Sequence, residues 1–270
     1  MGTITKALDL LGFFARDRAE IGLGEFVRLT GRDKATVHRH LTELAENGFL
    51  EQHPETRAYR LGPALLRLSA LRETLFPVRK LLQPIVFDLS EAVGELAHAS
   101  LLQGEVLSPV IHADPSLHGV LVHFDIAEML PLHATSSGIA ALAFCAEDTR
   151  AKVLTRPLSK FTDQTISDPA ALKAKIEQVQ RFGVVSVSGT FDEGVTSVGA
   201  PVFGEGERVV GSLAVAVPTV RANPEKLRDI AQRLLVEASH ASTALGGVFP
   251  RSFDTLPPDW GDKTLAQQVI

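Results

Sequence analysis

Residues 29–62 read LTGRDKATVHRHLTELAENGFLEQHPETRAYRLG, and this stretch decides the fold of the N-terminal part of the chain. Gly31 can adopt the left-handed conformation that ends a helix, and Asp33 can cap the next helix. Apolar residues then recur at helical spacing as far as Asn47. After Gly48, two short alternating segments flank a proline-containing turn, which is the pattern of a β-hairpin. The stretch therefore predicts a helix-turn-helix followed by a wing.

Two further helices and a linker are predicted around this stretch. Apolar residues of the segment 3–15 recur at helical spacing after Thr3, and residues 24–30 form a short second helix. Pro63 is favourable at a first helical position, and leucines follow it through residues 63–76, which predicts a linker helix. We expect the exposed apolar face of this linker helix to be a dimer contact.

The third helix separates an apolar stripe from a polar face. The stripe must pack on the other two helices, and it consists of Val37, Leu41, Leu44 and Ala45. On the opposite face, Ala35 allows the helix to approach DNA closely, and Thr36 can form a hydrogen bond to a phosphate or a base edge. Arg39 can donate two hydrogen bonds to guanine. His40 lies at the edge of the stripe, where we expect it to pack or cap. A solvated amphipathic helix is the alternative, and the wing that follows makes it less favourable.

The wing is expected to place polar and basic side chains along DNA. Arg57 is best placed at the tip to meet a phosphate or to enter the minor groove, and His53 and Arg60 lie along the hairpin. The residues predicted to contact DNA are Arg32, Lys34, Ala35, Thr36, His38, Arg39, Arg57 and Tyr59.

The formal net charge of −5 is unevenly distributed along the chain. Residues 1–62 hold nine lysines and arginines and nine acidic residues, so the excess of negative charge comes entirely from residues after 62. Around the predicted turn, four basic residues stand against Asp33 alone, a local patch of about +3 that suits a nucleic acid. The lone Cys145 excludes an internal disulfide and a cysteine-based zinc site. Without a long apolar run or a secretory signal, we expect a cytoplasmic protein with no membrane span.

The second half of the chain mixes strand-like runs with helices. A helix opens it at residues 78–94, and strand-like runs are grouped before and after a helical middle, which favours an α+β domain built on an antiparallel sheet. The strand-like runs are residues 98–103, 105–113, 118–124, 183–189, 197–203 and 208–218, and the helices are residues 136–145, 147–155, 169–182 and 223–244. Residues 251–270 are expected to form a tail that is either loose or laid on a neighbouring subunit.

Two segments of this half carry features of a ligand site. In MLPLHATSSGIAALAF, residues 129–144, a helix starting at Thr135 to Gly138 presents free backbone N–H groups that can bind a carboxylate. Ordinary capping by Thr135 is the alternative, and the sequence leaves the two open. In the last predicted strand, a small face can leave room for a ligand or permit close helix packing. This face consists of Ser212, Ala214 and Ala216.

The quoted stretch, extended to residue 68, resembles the signature of the IclR (isocitrate lyase regulator) family, and residues 129–144 and 189–221 resemble its effector domain. The resemblance covers residues 3–245. It departs at five positions, with Ala35 for a usual serine, His40 for leucine, Ile139 for lysine, and Ala214 and Ala216 where some members carry hydroxyls. A GAF-like domain holding a small organic acid is thereby implied. The implied pocket residues are Ser136, Ser137, Asp192, Pro201, Ser212, Ala214 and Ala216. Thr135 and Gly138 at the helix start are further candidates. His98 and His133 are candidates for hydrogen bonds to the effector, and an ordinary core or edge position is the alternative for each histidine.

The resemblance implies an α+β protein of two domains. The expected divisions are a winged helix-turn-helix over residues 1–62, a linker helix over 63–76, a GAF-like effector domain over 77–250 and the tail over 251–270. The expected function is a repressor of a catabolic operon, working as a dimer or tetramer on promoter DNA with two-fold related half-sites. Fewer hydroxyls on the last strand suggest an acid with an apolar or aromatic body.

Two other functions are weighed against the regulator. A hydrolase could use Ser136 or Ser137 with His133 or His98, but the chain has no nucleophile elbow, nucleotide loop or HExxH motif. We therefore predict no enzyme, no cofactor and no metal. A DNA-bound scaffold that senses no ligand is the second alternative.

Overall fold

A computed structural model describes residues 2–260 of the chain, which divides into two compact units at Pro77. The first unit holds four helices and a hairpin: α1 (Thr3–Leu11), α2 (Leu23–Thr30), α3 (Lys34–Glu46), β1 (Leu50–Gln52), β2 (Tyr59–Leu61) and α4 (Ala64–Leu75). The predicted order of helices and hairpin is confirmed. The predicted helix 3–15 stops at Leu11 because Gly12 caps it and Phe13 and Phe14 turn inward onto the ring of Phe26.

The turn between α2 and α3 has the predicted chemistry. Gly31 has a φ of 62°, and its N–H donates to the carbonyl of Val27 at 2.9 Å. Asp33 accepts a hydrogen bond from the backbone N–H of Thr36 at 2.9 Å, which fixes the start of α3. A single apolar core joins the three helices to the hairpin and consists of Leu10, Ile21, Phe26, Val37, Leu41, Leu44, Leu50 and Tyr59.

The linker helix α4 buries little of its own surface. Ala64 is its one buried residue, while Leu66, Leu68, Leu71 and Leu75 are exposed. Leu68, Leu71 and Leu75 follow the spacing i, i+3, i+7 and so form one stripe along the helix. Leu66 lies on the opposite side.

The second unit is an antiparallel sheet with helices on both faces, which confirms the α+β expectation. Its six strands lie in the order β5-β4-β3-β8-β7-β6, and every neighbouring pair is antiparallel. The elements are α5 (Val78–Val93), β3 (Leu96–Gln103), β4 (Val106–Ala113), β5 (Leu130–Pro131), α6 (Ser136–Leu142), α7 (Glu147–Thr155), α8 (Pro169–Phe182), β6 (Val185–Ser188), β7 (Val195–Phe203), β8 (Val209–Pro218) and α9 (Pro224–Ala244).

The two faces of β8 differ as the alternation predicts. Leu213, Val215 and Val217 belong to the apolar core that also contains side chains of α5 and α9. The small residues of the opposite face lie on the side of α6, which packs closely on β7 and β8. At Gly199 of β7, an added Cβ would lie 2.5 Å from the carbonyl carbon of Ser136. The first turn of α6 therefore lies directly on the sheet.

The strand predicted at residues 118–124 is wrong. These residues belong to a connection between β4 and β5, residues 114–129, which has neither helix nor strand and which we call the mouth loop. Its polar residues form local turns: Asp114 accepts from the N–H of Ser116, and Asp125 accepts from the N–H of Ala127. Such side-chain bonds compete with a strand ladder, so the alternating apolar residues between them do not pair.

The tail is also different from the expectation, as far as residue 260. Asp254 pairs with Arg181 of α8, and its N–H donates to the carbonyl of Arg181 at 2.9 Å. Trp260 is only 4% exposed and packs in the core of α5 and α9. Residues 251–260 are therefore attached to their own unit through a salt bridge and a buried indole. The remainder of the predicted tail lies outside the described residues.

Candidate functional site

The outward face of α3 presents the residues predicted to read DNA. Lys34, Ala35, His38 and Arg39 are exposed, and Thr36 is half-buried. Arg39 lies 4.0 Å from Glu43 in an i, i+4 pair whose side chains are both more than half exposed. Such a pair is weak in water, so the guanidinium can exchange Glu43 for a phosphate or a base edge.

The start of α3 carries charge of both signs. Hydrogen bonds from Thr36 lower the pKa of Asp33, so this cap stays ionised and stabilises the first turn. The helix dipole adds partial positive charge at the same end. The helix begins at Lys34, so an exposed basic residue lies in its first turn.

Arg32 has a different role from the predicted DNA contact. Its Nη1 donates to the carbonyl of Lys6 at 2.7 Å, and its Nη2 lies 2.7 Å from the Asp9 carboxylate. These bonds connect the turn before α3 to α1. The reason is geometric, since Arg32 precedes the cap and points back toward the first helix. Arg32 therefore holds the start of α3 against α1 within the first unit.

Tyr59 is the second correction in this unit. It is 2% exposed, and its ring lies 6.4 Å from that of Phe26 in an edge-to-face contact. Its backbone exchanges two hydrogen bonds with Ile21, each 2.9 Å long. Strand alternation then turns Tyr59 inward and its neighbour Arg60 outward, where Arg60 pairs with Glu51 at 2.9 Å. Burial raises the pKa of the Tyr59 phenol, and the side chain serves the core.

The wing tip is as predicted in position. Arg57 is exposed, has a φ of 60°, and closes the turn by donating its N–H to the carbonyl of His53 at 3.0 Å. Gln52 donates to the carbonyl of Arg57 at 2.9 Å, which holds the tip in this geometry. His40 behaves as expected in α3, because it is 1% exposed and packed inside the domain.

The second unit contains a cavity between the sheet, the start of α6 and the mouth loop. Its interior volume is about 140 Å³, and it opens to solvent at its mouth. Six of the predicted effector residues line it: His98, Thr135, Ser136, Ser137, Asp192 and Ala216. The predicted helix start and the end of the small face of β8 therefore meet at one site.

The inner wall of the cavity is the first turn of α6. Thr135 Oγ1 accepts from the N–H of Gly138 at 2.9 Å and from Ser137 Oγ at 3.2 Å, and it donates to the carbonyl of Pro131. The capping alternative thus holds for Thr135, and it uses the N–H of Gly138. Ser136 is 1% exposed, and its hydroxyl has no hydrogen-bond partner within residues 2–260. The N–H groups of Ser136 and Ser137 have no acceptor inside the helix. The wall therefore offers donors that lack intrahelical partners.

His98 forms a neutral part of the wall. It is 5% exposed on β3, opposite Ala214, and its Nδ1 lies 3.2 Å from Ser100 Oγ. Burial, together with the neighbouring His112, lowers the pKa of His98 to about 3. The imidazole is therefore uncharged near neutral pH. The ring of Phe124 lies over it at 4.6 Å between centroids.

Five predicted effector residues do not line this cavity. Gly138 packs against Pro131 and Leu132, and His133 turns away, with its Nε2 donating to the carbonyl of Ser159 at 2.9 Å. Pro201 and Ser212 face each other farther along β7 and β8, and Ala214 lies opposite Gly199. The close approach of α6 at Gly199 fills the space above this part of the sheet.

Sequence reasoning missed most of the cavity's outer wall. Its residues come from the mouth loop, from β7 and from the turn before β7: Val122, His123, Phe124, Asp125, Glu128, Thr190, Phe191, Val195 and Ser197. Thr190 is anchored through its hydroxyl, which donates to the carbonyl of Ala134 at 2.6 Å. The acidic turn at residues 191–194 was a usable signal, whereas the mouth loop was hidden by its strand-like alternation. None of the lining residues is a lysine or arginine.

The geometry does not resemble a hydrolase site. Ser137 Oγ donates to Thr135, and His133 Nε2 is engaged by Ser159, so neither serine is paired with a histidine. Residues 2–260 contain no group of three histidine, cysteine or carboxylate side chains that could hold a metal ion. Over the same residues, no helix combines the length and apolarity needed to cross a bilayer.

Comparison with known proteins matches both units. A family profile described as the IclR helix-turn-helix domain matches residues 3–54, and one described as bacterial transcriptional regulator IclR C-terminal matches residues 74–243. Over 245 residues the chain is 26% identical to the HTH-type transcriptional regulator XynR of Escherichia coli, which covers 90% of this chain and 97% of XynR.

Two crystal structures share the fold. An IclR transcriptional regulator from Silicibacter sp. TM1040 is 43% identical with a TM-score of 0.86, covering 94% of this chain and 100% of that one. An IclR homologue from Microbacterium hydrocarbonoxydans, complexed with 4-hydroxybenzoate, is 24% identical with a TM-score of 0.73, covering 90% and 99%. These relatives are regulators and not enzymes, as predicted. The chain is a member of the IclR family of bacterial transcriptional regulators.

Proposed function

We propose that this regulator binds promoter DNA through α3 and the wing tip and that a small organic acid in the cavity controls its operator affinity. One observation carries the effector part. The hydroxyl of Ser136, which has no partner within residues 2–260, and the N–H groups of Ser136 and Ser137, which have no acceptor inside α6, line the cavity beside a neutral His98. Such donors bind a carboxylate without a lysine or arginine.

The ligand class follows from the other walls. Phe124 and Phe191 supply aromatic surface, and Ala216 supplies a small apolar floor. A carboxylate with an apolar or aromatic body fits this combination. The homologue that was crystallised with 4-hydroxybenzoate supports an aromatic acid as the first probe to test.

The experiment combines ligand binding with DNA binding. Fluorescence anisotropy of the chain's own upstream promoter fragment, with and without each acid, measures operator affinity, and thermal shift measures ligand binding. We expect an acid to raise the melting temperature and to change operator affinity together. Ser136→Ala should abolish both effects, whereas Ser167→Ala, an exposed serine outside the cavity, should keep them. A scaffold that senses no ligand would show DNA binding with no acid-dependent shift.

We further propose a homodimer formed through α4. The stripe of Leu68, Leu71 and Leu75 is exposed along the helix, and apolar side chains at helical spacing are what a partner helix buries. Two copies related by a two-fold axis would then bind two-fold related half-sites. A tetramer would need a further contact between second units.

The dimer is tested by light scattering after gel filtration. Leu71→Glu should convert the dimer to monomer and weaken operator binding, because it places a charge in the contact. Leu66→Glu, on the opposite side of the same helix, is the matched control and should stay dimeric. A Leu71→Glu variant that remains a dimer would move the contact elsewhere.

The sense of control that we propose is repression of a catabolic operon in the cytoplasm. One relative is named as the transcriptional repressor IclR of Escherichia coli, and another as the acetate operon repressor of Salmonella typhimurium. A reporter fused to the upstream promoter should be more active in a deletion strain than in wild type. Lower reporter activity in the deletion strain would instead indicate an activator.

A further inference from the structure

The mouth of the cavity is acidic, in contrast to its inner wall. Asp125, Glu128 and Asp192 line it. Asp125 and Asp192 each accept one backbone hydrogen bond, from Ala127 and Gly194, which fixes their orientation. Within residues 2–260, none of the three carboxylates forms a salt bridge. The mouth therefore presents three negative charges that no lysine or arginine of the described chain neutralises.

This charge bears on which acids can enter. A second carboxylate at the mouth would meet three like charges, whereas a cation there would be attracted by all of them. Phe124 and Phe191 also line the cavity, and aromatic side chains attract ammonium groups through their ring faces. An acid with an apolar body would accept hydrogen bonds from the inner wall but would have no group to pair with the carboxylates of the mouth.

The inner wall provides an independent indication of a ligand. Ser136 is 99% buried at the cavity, and its hydroxyl lacks a partner among residues 2–260. His98 is 95% buried and keeps one ring nitrogen beyond the one paired with Ser100. These groups are suited to a carboxylate or another acceptor, so the two ends of the cavity have opposite preferences.

We propose that the effector is a zwitterion, a carboxylic acid that also carries an ammonium or quaternary ammonium group. Its carboxylate lies at Ser136 and Ser137, and its cation lies at the mouth among Asp125, Glu128 and Asp192. This inference rests on the proposed sensor function and specifies the ligand class of the same cavity.

Two series of matched acids test the proposal on the full-length protein by calorimetry. In the first series the second group lies across the ring from the carboxylate, so the two charged groups are far apart. Its members are 4-methylbenzoate, 4-(hydroxymethyl)benzoate, 4-(aminomethyl)benzoate and terephthalate. In the second series the second group lies on the carbon next to the carboxylate, so the two charged groups are close together. Its members are 3-phenylpropionate, 3-phenyllactate, phenylalanine and benzylmalonate. In at least one series the ammonium member should bind about tenfold or more tightly than the member that has hydrogen in place of the ammonium group. This is a difference of about 1.4 kcal/mol in binding free energy. The dicarboxylate should bind most weakly.

The variants separate charge from shape. The triple change Asp125→Asn, Glu128→Gln, Asp192→Asn keeps the side-chain oxygens that accept the turn hydrogen bonds and removes the charge. It should eliminate the preference for the ammonium member over the methyl member, and it should not weaken binding of the methyl member, because the like charges near its carboxylate are removed. Glu193→Gln is the matched control, because Glu193 is exposed in the same turn and does not line the cavity. The preference of the wild type should also shrink as salt rises from about 0.02 to 0.3 M.

The outcomes distinguish this inference from the sensor function. If the hydroxyl or methyl members bind as tightly as the ammonium members in both series, the zwitterion is wrong and the sensor stands. If the triple variant keeps the full preference, the carboxylates of the mouth are not its source and the inference also fails. If no member of either series binds or shifts the melting temperature, the result counts against the sensor itself.

Discussion

Gly199 of β7 lies beneath Ser136 of α6 so closely that a Cβ on residue 199 would come 2.5 Å from the Ser136 carbonyl carbon and 2.7 Å from the N–H nitrogen of Ser137. The obstructing atoms are backbone atoms of a helix start, which cannot move aside as a flexible side chain could. This contact determines where the donors of α6 stand in the cavity.

Gly199→Ala should therefore displace the first turn of α6. We expect a loss of about 1–3 kcal/mol in the free energy of unfolding, as for other overpacked sites, together with loss of acid binding. Urea denaturation and calorimetry measure the two effects. Gly119→Ala is the control, because an added Cβ there meets nothing within 4 Å. A Gly199→Ala protein that binds acids normally would show that α6 can shift without cost.

The two arginines flanking the start of α3 should respond differently to removal. Arg39→Ala should weaken operator binding by about 1–3 kcal/mol with little change in stability, because Arg39 is exposed. Arg32→Ala removes a partly exposed ion pair with Asp9, so its main effect should be a loss of about 1 kcal/mol in stability. Anisotropy titrations and thermal unfolding on both variants separate these effects. Equal loss of operator affinity at matched fraction folded would return Arg32 to the DNA-contacting set.

The position of Tyr59 in the core leads to a separate prediction. Tyr59→Ala should destabilise the first unit by about 3–5 kcal/mol, because it removes a ring packed on Phe26. Tyr59→Phe keeps the packing and should retain operator affinity within twofold. The measurements are urea denaturation and anisotropy. A large loss of operator affinity in a stably folded Tyr59→Phe protein would indicate that the phenol reaches DNA.

Local sequence chemistry was sufficient for much of the first unit. Gly31 and Asp33 act through their own backbone neighbours, so the turn and the start of α3 follow from residue type. Tyr59 was misplaced because the inward side of β2 is set by its pairing with Ile21, nearly forty residues away. Arg32 was misplaced for the same reason, since its partners Lys6 and Asp9 belong to another helix.

The cavity was less predictable because four separated segments form it, namely His98, residues 122–137, residues 190–197 and Ala216. Thr135 to Ser137 could be found from the helix start, and Ala216 from strand alternation. Phe124 lies in a segment whose alternation is typical of a strand, and its stacking on His98 and His112 in the structure shows where it belongs. His98 and His133 are similar in sequence context, yet one lines the cavity and the other bonds Ser159.

The buried imidazole of His98 should make stability depend on pH. Its pKa is lowered to about 3 in the folded protein, while an unfolded histidine titrates near its ordinary value of 6.5. Between these values the unfolded chain binds the proton and the folded chain does not, so acidification favours unfolding. This contribution is complete above about pH 6.5 and is lost progressively as pH falls toward 3, by at most roughly 1.4 kcal/mol per pH unit.

His98→Gln removes this titration and keeps a polar side chain in the wall. Urea denaturation at several pH values between about 7 and 5 should show a steeper loss of stability in wild type than in the variant. His240→Gln, at an exposed position of α9, is the control and should follow the wild type. Because His98 stays neutral in the folded protein, acid binding by the wild type should not change between about pH 6 and 8 on its account. Parallel stability curves for wild type and His98→Gln would mean that the folded protein protonates His98 near its ordinary pKa, which would also place a positive charge at the inner wall.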